Sequence, residues 1–423
     1  MAKLKNKPQP KVEKKVEPVK EIVLTPLIPE GLAKKIFIGF AVLLVVVMTS
    51  LSHQYGISGD EDYHRRYGHD VVDFYATMGK DNAAATLLGR DSLMVYYGGF
   101  YDGTATMLSR MAPSINEWNV RHFWNSVFGF VAMLCAALVA VEVAGWQAGL
   151  LALIFMAFSP RFFGESMNNP KDITMAAGYM LSYLFIVKFL KQLPRPTLKI
   201  AIGLGLSIGV AMGIRIGGLL LIPYAFLFYG LAMMGIYGLK PLFDFSQFKT
   251  NIWPSFRYVV LAAVLGYFCS LLFWPFGLVA PFSNPFKALS VAQHFGVGMR
   301  VLFEGTQMMC SQQSPVTGTY ESVLPWNYEP QWLTITTPLF GLAGLALSFW
   351  LIPVMRKKGN LLLLGFLYFT IVFPIFYIIY KKSVVYDTMR HIYFVYPSII
   401  ILSALAISVL LHTVNCKLRT TND

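Results

Sequence analysis

Asp60-Glu61-Asp62 stand in a row just beyond the first hydrophobic segment of the chain, and His64-Arg65-Arg66 follow them. Unpaired charge beside hydrocarbon is strongly disfavoured, so three carboxylates at a membrane exit point to a function. Carboxylates placed there can take a proton from a weak nucleophile, or bind a divalent cation through oxygen ligands. Acids also suit a helix N-terminus, where the dipole stabilises negative charge. One acid would satisfy that need; three exceed it. A second acidic point, Asp172, closes the segment Asn168-Asn169-Pro170-Lys171-Asp172, which also reads as a loop-to-helix start.

Cations gather in another polar segment, Lys381-Lys382-Ser383-Val384-Val385-Tyr386-Asp387-Thr388-Met389-Arg390-His391. Here Lys381, Arg390 and His391 can grip a phosphate, for which Arg offers a planar fork and Lys a point charge. The bland alternative is anchoring by snorkelling to lipid head groups. Arg215, between glycines in Gly213-Ile214-Arg215-Ile216-Gly217-Gly218, is a further cation at the same expected depth. Arg121-His122 and Arg300 read as anchors. The run Pro325-Trp326-Asn327-Tyr328-Glu329-Pro330-Gln331-Trp332 fits an interfacial aromatic belt, and its Trp326 and Asn327 also suit stacking on a sugar ring. No Walker A, GxSxG, HExxH or GxGxxG element stands in a suitable context, which argues against soluble-nucleotide chemistry. Four scattered cysteines without a CxxC pair indicate neither a disulfide framework nor a zinc finger.

The elements that must hold these residues are hydrophobic spans. Of the 423 residues 56% are hydrophobic and only 13% charged, with a mean hydropathy of +0.55; a soluble domain carries about 25% charged residues. This is the composition of an integral membrane protein. The formal charge of +13 fits basic cytoplasmic loops better than a nucleic-acid partner. Apolar runs near 36–51, 123–143, 146–163, 173–190, 198–214, 217–236, 259–278, 333–354, 361–380 and 392–411 give about ten spans at bilayer length. The third is short enough to be tilted or re-entrant. Residues 1–33 read as a disordered basic cytoplasmic tail, and 34–423 as one membrane domain.

With the N-terminus inside, the Lys188/Lys191/Arg195/Lys199, Lys240/Lys249/Arg257, Arg356-Lys357-Lys358 and Lys417/Arg419 segments all fall on the cytoplasmic side. Both termini are then cytoplasmic. Long outer loops remain near 52–122 and 279–331, with short ones near 159–172 and 381–390, and the candidate residues crowd into these four. The first outer loop starts as a helix: Ser58 and Glu61 stand at capping-box spacing. Tyr63, Tyr67, Val71, Phe74 and Met78 then form one apolar stripe, as in a helix lying flat on the bilayer interface. Asp60 and His64, four apart, project together from its first turn.

In order and in shared membrane face, the Gly59-Asp60-Glu61-Asp62-Tyr63-His64 run after a first span and the Asn169-Pro170-Lys171-Asp172 loop resemble the GT-C superfamily of polytopic glycosyltransferases. The Asp387-Thr388-Met389-Arg390-His391-Ile392 entry to the last span strengthens the likeness, which is nearest to the protein O-mannosyltransferase and aminoarabinose transferase branch. The resemblance covers roughly 35–412. It implies an all-α, GT-C-like fold, a polyprenyl-phosphate-linked sugar as donor, and a protein, lipid or glycan hydroxyl as acceptor. It also implies Asp60 as general base with Glu61 or Asp172 assisting, and Arg390, His391, Lys381 and Arg215 on the phosphate. Tyr63, His64, Trp326 and Asn327 would contact the sugar. Asp62 makes a triplet of the family's acidic pair, which leaves open which carboxylate is the base. Attack from the face opposite the phosphate would invert the anomeric carbon. The rival reading is a transporter or lipid-linked-sugar flippase, for which Arg215 is the best-suited feature; charges gathered at one interface and the lack of a convincing internal repeat speak against it. The end at Thr421-Asn422-Asp423, without an ER-retention signal, leads to a plasma or bacterial inner membrane as the expected location.

Overall fold

The computed structural model describes residues 27–87, 92–293, 295–315, 318–357 and 361–420. Most of the expected basic tail, residues 1–26, lies outside them, as do Lys358 and residues 421–423. The chain is a multi-pass membrane protein. Among the described residues seven helices are long and apolar enough to cross a bilayer. The bent pair Trp146–Ala157 and Pro160–Asn168 counts as an eighth if taken as one broken span, and two further apolar helices, Leu198–Ile214 and Leu339–Ser348, are shorter.

The first nine helices are α1 (Glu30–Leu51), α2 (Glu61–Ala76), α3 (Phe100–Met111), α4 (Glu117–Ala144), α5 (Trp146–Ala157), α6 (Pro160–Asn168), α7 (Asp172–Lys191), α8 (Leu198–Ile214) and α9 (Leu221–Tyr237). Beyond them the main helices are Trp253–Leu271, Leu339–Ser348, Leu361–Tyr380 and Tyr396–Thr420. Their ends follow local chemistry. α4 begins where Asn116 Oδ1 accepts a hydrogen bond from the Trp118 amide at 2.9 Å, and stops at Gly145, whose φ of 91° suits a glycine. α5 opens with its Trp146 amide donating to Glu30 Oε2 at 2.9 Å, which ties it to the start of α1.

Prolines account for most differences from the expected boundaries, because each lacks an amide donor and ends the helix before it. The span expected to reach 278 stops at Leu271, ahead of Pro275, where Trp274 is buried and donates to Val95 O at 2.8 Å. The span expected over 333–354 is split before Pro338 into Tyr328–Thr336 and Leu339–Ser348. Between α5 and α6 the chain bends by 68°. Two antiparallel hairpins, Arg300–Phe303 with Thr306–Met309 and Ser311–Gln313 with Tyr320–Ser322, add β-structure to the large loop expected on the outer side. The hydrophobic pattern, silent in polar segments, does not announce them.

The apolar stripe of α2 is buried largely by the chain itself. Tyr67 and Val71 pack with Ala84, and the Tyr67 hydroxyl donates to Tyr97 O at 2.7 Å. α2 and α3 cross closely at Gly68, where any Cβ would lie 2.4 Å from Thr106 Oγ1. Only the far end of the stripe, Met78, is fully exposed.

Beneath this crossing lies a charged network. Arg121 Nη2 meets Asp102 Oδ1 at 3.2 Å, His64 Nδ1 meets Asp102 Oδ2 at 2.9 Å, and Arg121 Nη1 donates to Thr106 Oγ1 at 3.1 Å. Arg121 and His122, expected as lipid anchors, are both buried and fasten the outer helices to α4.

Candidate active site

Three chain segments converge above the helices: the turn into α2, the loop from α6 into α7, and the 381–395 connection. Asn169 shapes the second. Its Oδ1 accepts from the Asp172 amide at 2.9 Å and its Nδ2 donates to Glu165 Oε2 at 2.9 Å, so α7 starts with Asp172 pointed at the other two segments.

The result is an alternating lattice of charge. Arg390 stands between two carboxylates, its Nη2 bonded to Asp60 Oδ2 and its Nε to Asp172 Oδ2 at 3.0 Å. The Asp172 carboxylate also receives Arg215 Nη1 at 3.1 Å. Lys171 Nζ lies 3.5 Å from Asp60 Oδ2, and Arg390 Nη1 lies 2.9 Å from Asp387 Oδ2. Lys171, Arg215 and Arg390 thus face Asp60, Asp172 and Asp387, and the charges balance.

Electrostatics follow this layout. Burial pushes the Asp60 carboxyl up, but Lys171 and Arg390 outweigh it and hold it at about 2. Burial pulls the Lys171 ammonium down, yet Tyr97 and Asp172 leave it above its ordinary value. The buried Tyr97 hydroxyl is drawn below its usual range, because Lys171 and Arg215 beside its ring overcome burial. Their cationic groups stand 5.2 Å and 5.6 Å from the ring centre. His391 is half-buried against Tyr386, and desolvation pushes it down to about 3, so at neutral pH it is uncharged.

Two clefts open beside this lattice. The smaller, about 290 Å³, is polar: Asp60, Arg161, Glu165, Asn169, Asp387 and Arg390 line it. The larger, about 730 Å³, is apolar along most of its wall, with Leu93, Met175, Leu220 and Phe394, and carries Lys171 and Arg215. The Asp60–Lys171 ion pair joins a residue of the first cleft to a residue of the second. Such a pair of clefts can bring a hydroxyl-bearing molecule and a long apolar phosphate ester to one point.

No protein-family model and no curated protein matches the sequence. Solved structures do. The archaeal oligosaccharyltransferase AglB from Archaeoglobus fulgidus, in complex with an inhibitory peptide and a dolichol-phosphate, aligns with a TM-score of 0.55 at 15% identity, over 90% of this chain and 52% of that one. ArnT from Cupriavidus metallidurans aligns with TM-scores of 0.53 in the apo state and 0.52 bound to undecaprenyl phosphate. Both are 16% identical and cover 90% of this chain and 59% of that one.

The chain has the GT-C fold. It spans somewhat more than half the length of these structures, and at such identities the likeness is one of architecture.

Within this GT-C frame Asp60, Asp172, Arg215 and Arg390 come together, and His391 lines the larger cleft beside them. Tyr63 is half-exposed on the rim of the same cleft. Glu61 turns inward instead: its carboxylate accepts from the Ser58 amide at 2.6 Å and pairs with His122 Nε2 at 2.9 Å. It does not converge with Asp60 and Asp172, and no cluster of three or more metal-ligating side chains forms among the described residues. His64 is committed to Asp102.

Lys381 is exposed beside Tyr380, and Trp326 is exposed on the outer loop. Asn327 bonds Gln331 at 3.1 Å rather than the clefts. Six residues of the site escape the sequence reading. Lys171, Asn169 and Asp387 lie within segments it singles out. Arg161 and Glu165, four apart on α6, carry a weak signal as an i,i+4 pair. Tyr97 carries none.

Proposed function

We propose that the chain is a membrane glycosyltransferase that moves a sugar from a polyprenyl phosphate to an acceptor hydroxyl at the extracytoplasmic face. The observation that carries this reading is the Asp60–Lys171 ion pair, which links a polar cleft bearing a carboxylate to an apolar cleft bearing cations. Lysine and arginine at one end of a long apolar groove match an isoprenoid phosphate, whose tail stays in lipid while its head is held by charge.

In this mechanism Lys171 and Arg215 hold the phosphate of the donor, with the Tyr97 ring packed between them. Asp60, reached from the smaller cleft, takes the proton of the acceptor hydroxyl as its oxygen attacks the anomeric carbon. The bond to phosphate breaks on the opposite face, so the configuration inverts. Negative charge that builds on the leaving phosphate meets Lys171, Arg215 and Arg390. Donor binding also frees the base: a phosphate on Lys171 competes with Asp60 for its cation, and the carboxylate gains proton affinity as the reaction needs it.

The AglB structure carries a dolichol-phosphate and an ArnT structure an undecaprenyl phosphate, which supports a lipid-phosphate donor here. The test is release of labelled sugar from a panel of polyprenyl-phosphate sugars, in membranes holding wild-type or Asp60→Asn protein. Release that depends on Asp60 supports the reading and names the donor. Absence of release from every donor, with folded protein present, overturns it in favour of transport.

A further inference from the structure

Arg390 reaches its two carboxylates from an unusual stretch of backbone. Asp387 and Thr388, consecutive and neither of them glycine, have φ of 55° and 64°. The left-handed region is disfavoured for any side chain and most of all for a β-branched one, so threonine there is held by its surroundings. Two contacts hold it. The Thr388 amide donates to the hydroxyl of Tyr328 at 3.2 Å, and Arg161 Nη2 donates to Thr388 Oγ1 at 3.3 Å.

Tyr328 lies outside both clefts. It is buried, with its ring 5.0 Å from that of Phe303 on the first outer hairpin, in a cluster that also holds Val301, Cys310 and Val385. The same outer loop is fastened again where the Ser322 amide donates to Lys382 O at 2.9 Å. One buried ring therefore connects the hairpins of the large outer loop to the turn that carries the central arginine.

We infer that Tyr328 is a positioning residue: its hydroxyl latches the left-handed Asp387-Thr388 turn and so fixes the approach of Arg390 to Asp60 and Asp172. This rests on the sugar-transfer reading for its catalytic consequence, though not for the latch itself. Released from the hydroxyl, the turn relaxes to ordinary backbone, and the guanidinium three residues from Asp387 moves with it. Glycine at position 388 removes the side-chain strain there, so the left-handed turn stays accessible without the latch.

The experiment compares Tyr328→Phe, Thr388→Gly and the double variant in the full-length protein in membranes. Tyr328→Phe is expected to lower kcat by about 10- to 100-fold, the scale of a small misplacement in a reacting site. Donor KM is expected to change little, because Lys171 and Arg215 are untouched. The double variant is expected to recover most of the lost kcat. A Tyr328→Phe protein with full kcat, or a loss that Thr388→Gly does not relieve, overturns the inference.

Hydrogen exchange across residues 384–390 is the readout independent of turnover, expected to be faster in Tyr328→Phe than in wild type. Unchanged exchange overturns the latch. If wild type turns over no donor, the sugar-transfer reading falls, while the exchange result still decides the latch.

Discussion

Arg390 bonds Asp60 across 330 positions of sequence, and the bond closes a site whose other walls belong to α6 and α7. Among the described residues the other ion pair of this carboxylate, at the start of α2, is with Lys171. The site is therefore complete only when the 381–395 connection, which precedes the Tyr396–Thr420 helix, meets the start of α2.

Asp60 and Glu61 are neighbours with opposite duties. Asp60→Asn should abolish turnover, by at least the ~10²–10⁴-fold that a general base contributes, while leaving the unfolding temperature near that of wild type. Glu61→Gln should do the reverse. It weakens the charge-assisted bonds to the Ser58 amide and to His122, a loss of about 1.5–3 kcal/mol, with kcat per folded molecule kept. Thermal unfolding in detergent beside sugar-release rates separates the two.

Removing Lys171 should act on binding and on pH together. Lys171→Ala deletes a cation of the phosphate end of the larger cleft, and donor KM should rise about tenfold or more. It also deletes a charge that holds Asp60 at about 2 against burial. With less opposing burial, the carboxyl moves up toward or past its ordinary 3.8. If Asp60 is the general base, as proposed, activity needs it ionised, and the acid limb of the pH–rate profile should shift to higher pH in the variant.

The network under α2 and α3 should be sensitive to loss of its central acid. Asp102→Ala takes the 3.2 Å ion pair from buried Arg121, leaving it Glu117 Oε1 at 3.8 Å, and leaves His64 without its partner. Breaking a buried pair from one side costs about 3–5 kcal/mol. A fall in unfolding temperature, and proteolysis appearing within residues 52–116, are the expected signs.

Glu329 offers a titration of stability. It is buried beside Tyr328 with neither carboxylate oxygen hydrogen-bonded among the described residues, and burial lifts it from 4.5 to about 8. The folded protein thus binds this proton more tightly than the unfolded chain. Its contribution is complete below about 4.5 and declines as pH rises to about 8, by up to ~1.4 kcal/mol per pH unit. Glu329→Gln should flatten that decline. Unfolding temperatures at pH 5 and pH 8 check it: wild type loses stability between them, and the variant loses less.

Residue type and the inside–outside alternation of loops made much of this site legible. Asp60, Asp172, Arg215 and Arg390 stand out because ionisable groups beside spans are costly, and all four meet. Helical phase is what the sequence hides. Glu61 is one residue beyond Asp60 but about 100° further round the helix, enough to turn it from the cleft to the interior. Trp326 and Asn327 have the chemistry for sugar, but they sit on the outer loop, whose short hairpins give no periodic signal of where they fold. Tyr97 enters the site because Gly98 lets two backbones touch: a Cβ there would come within 2.0 Å of Gly213 O, two residues before Arg215. No local pattern encodes that approach. The spans were read from hydropathy alone, and the breaks that differ sit where proline or a buried tryptophan interrupts the ladder.

Under the sugar-transfer reading, the bend between α5 and α6 would limit which acceptors fit. α5 has twelve residues and rises about 18 Å, short of the ~30 Å of bilayer hydrocarbon. In the proposed orientation the chain turns before it reaches the outer head groups, and Arg161 and Glu165 follow directly after the turn. If α5 starts at the inner head groups, the floor of the polar cleft is sunk below the membrane surface. A rigid, folded acceptor would be stopped at the rim by the lipid around it. In that orientation an acceptor for the proposed transfer would have to be narrow enough to dip: an unfolded stretch of polypeptide, a glycan end, or the head group of a lipid that is already there.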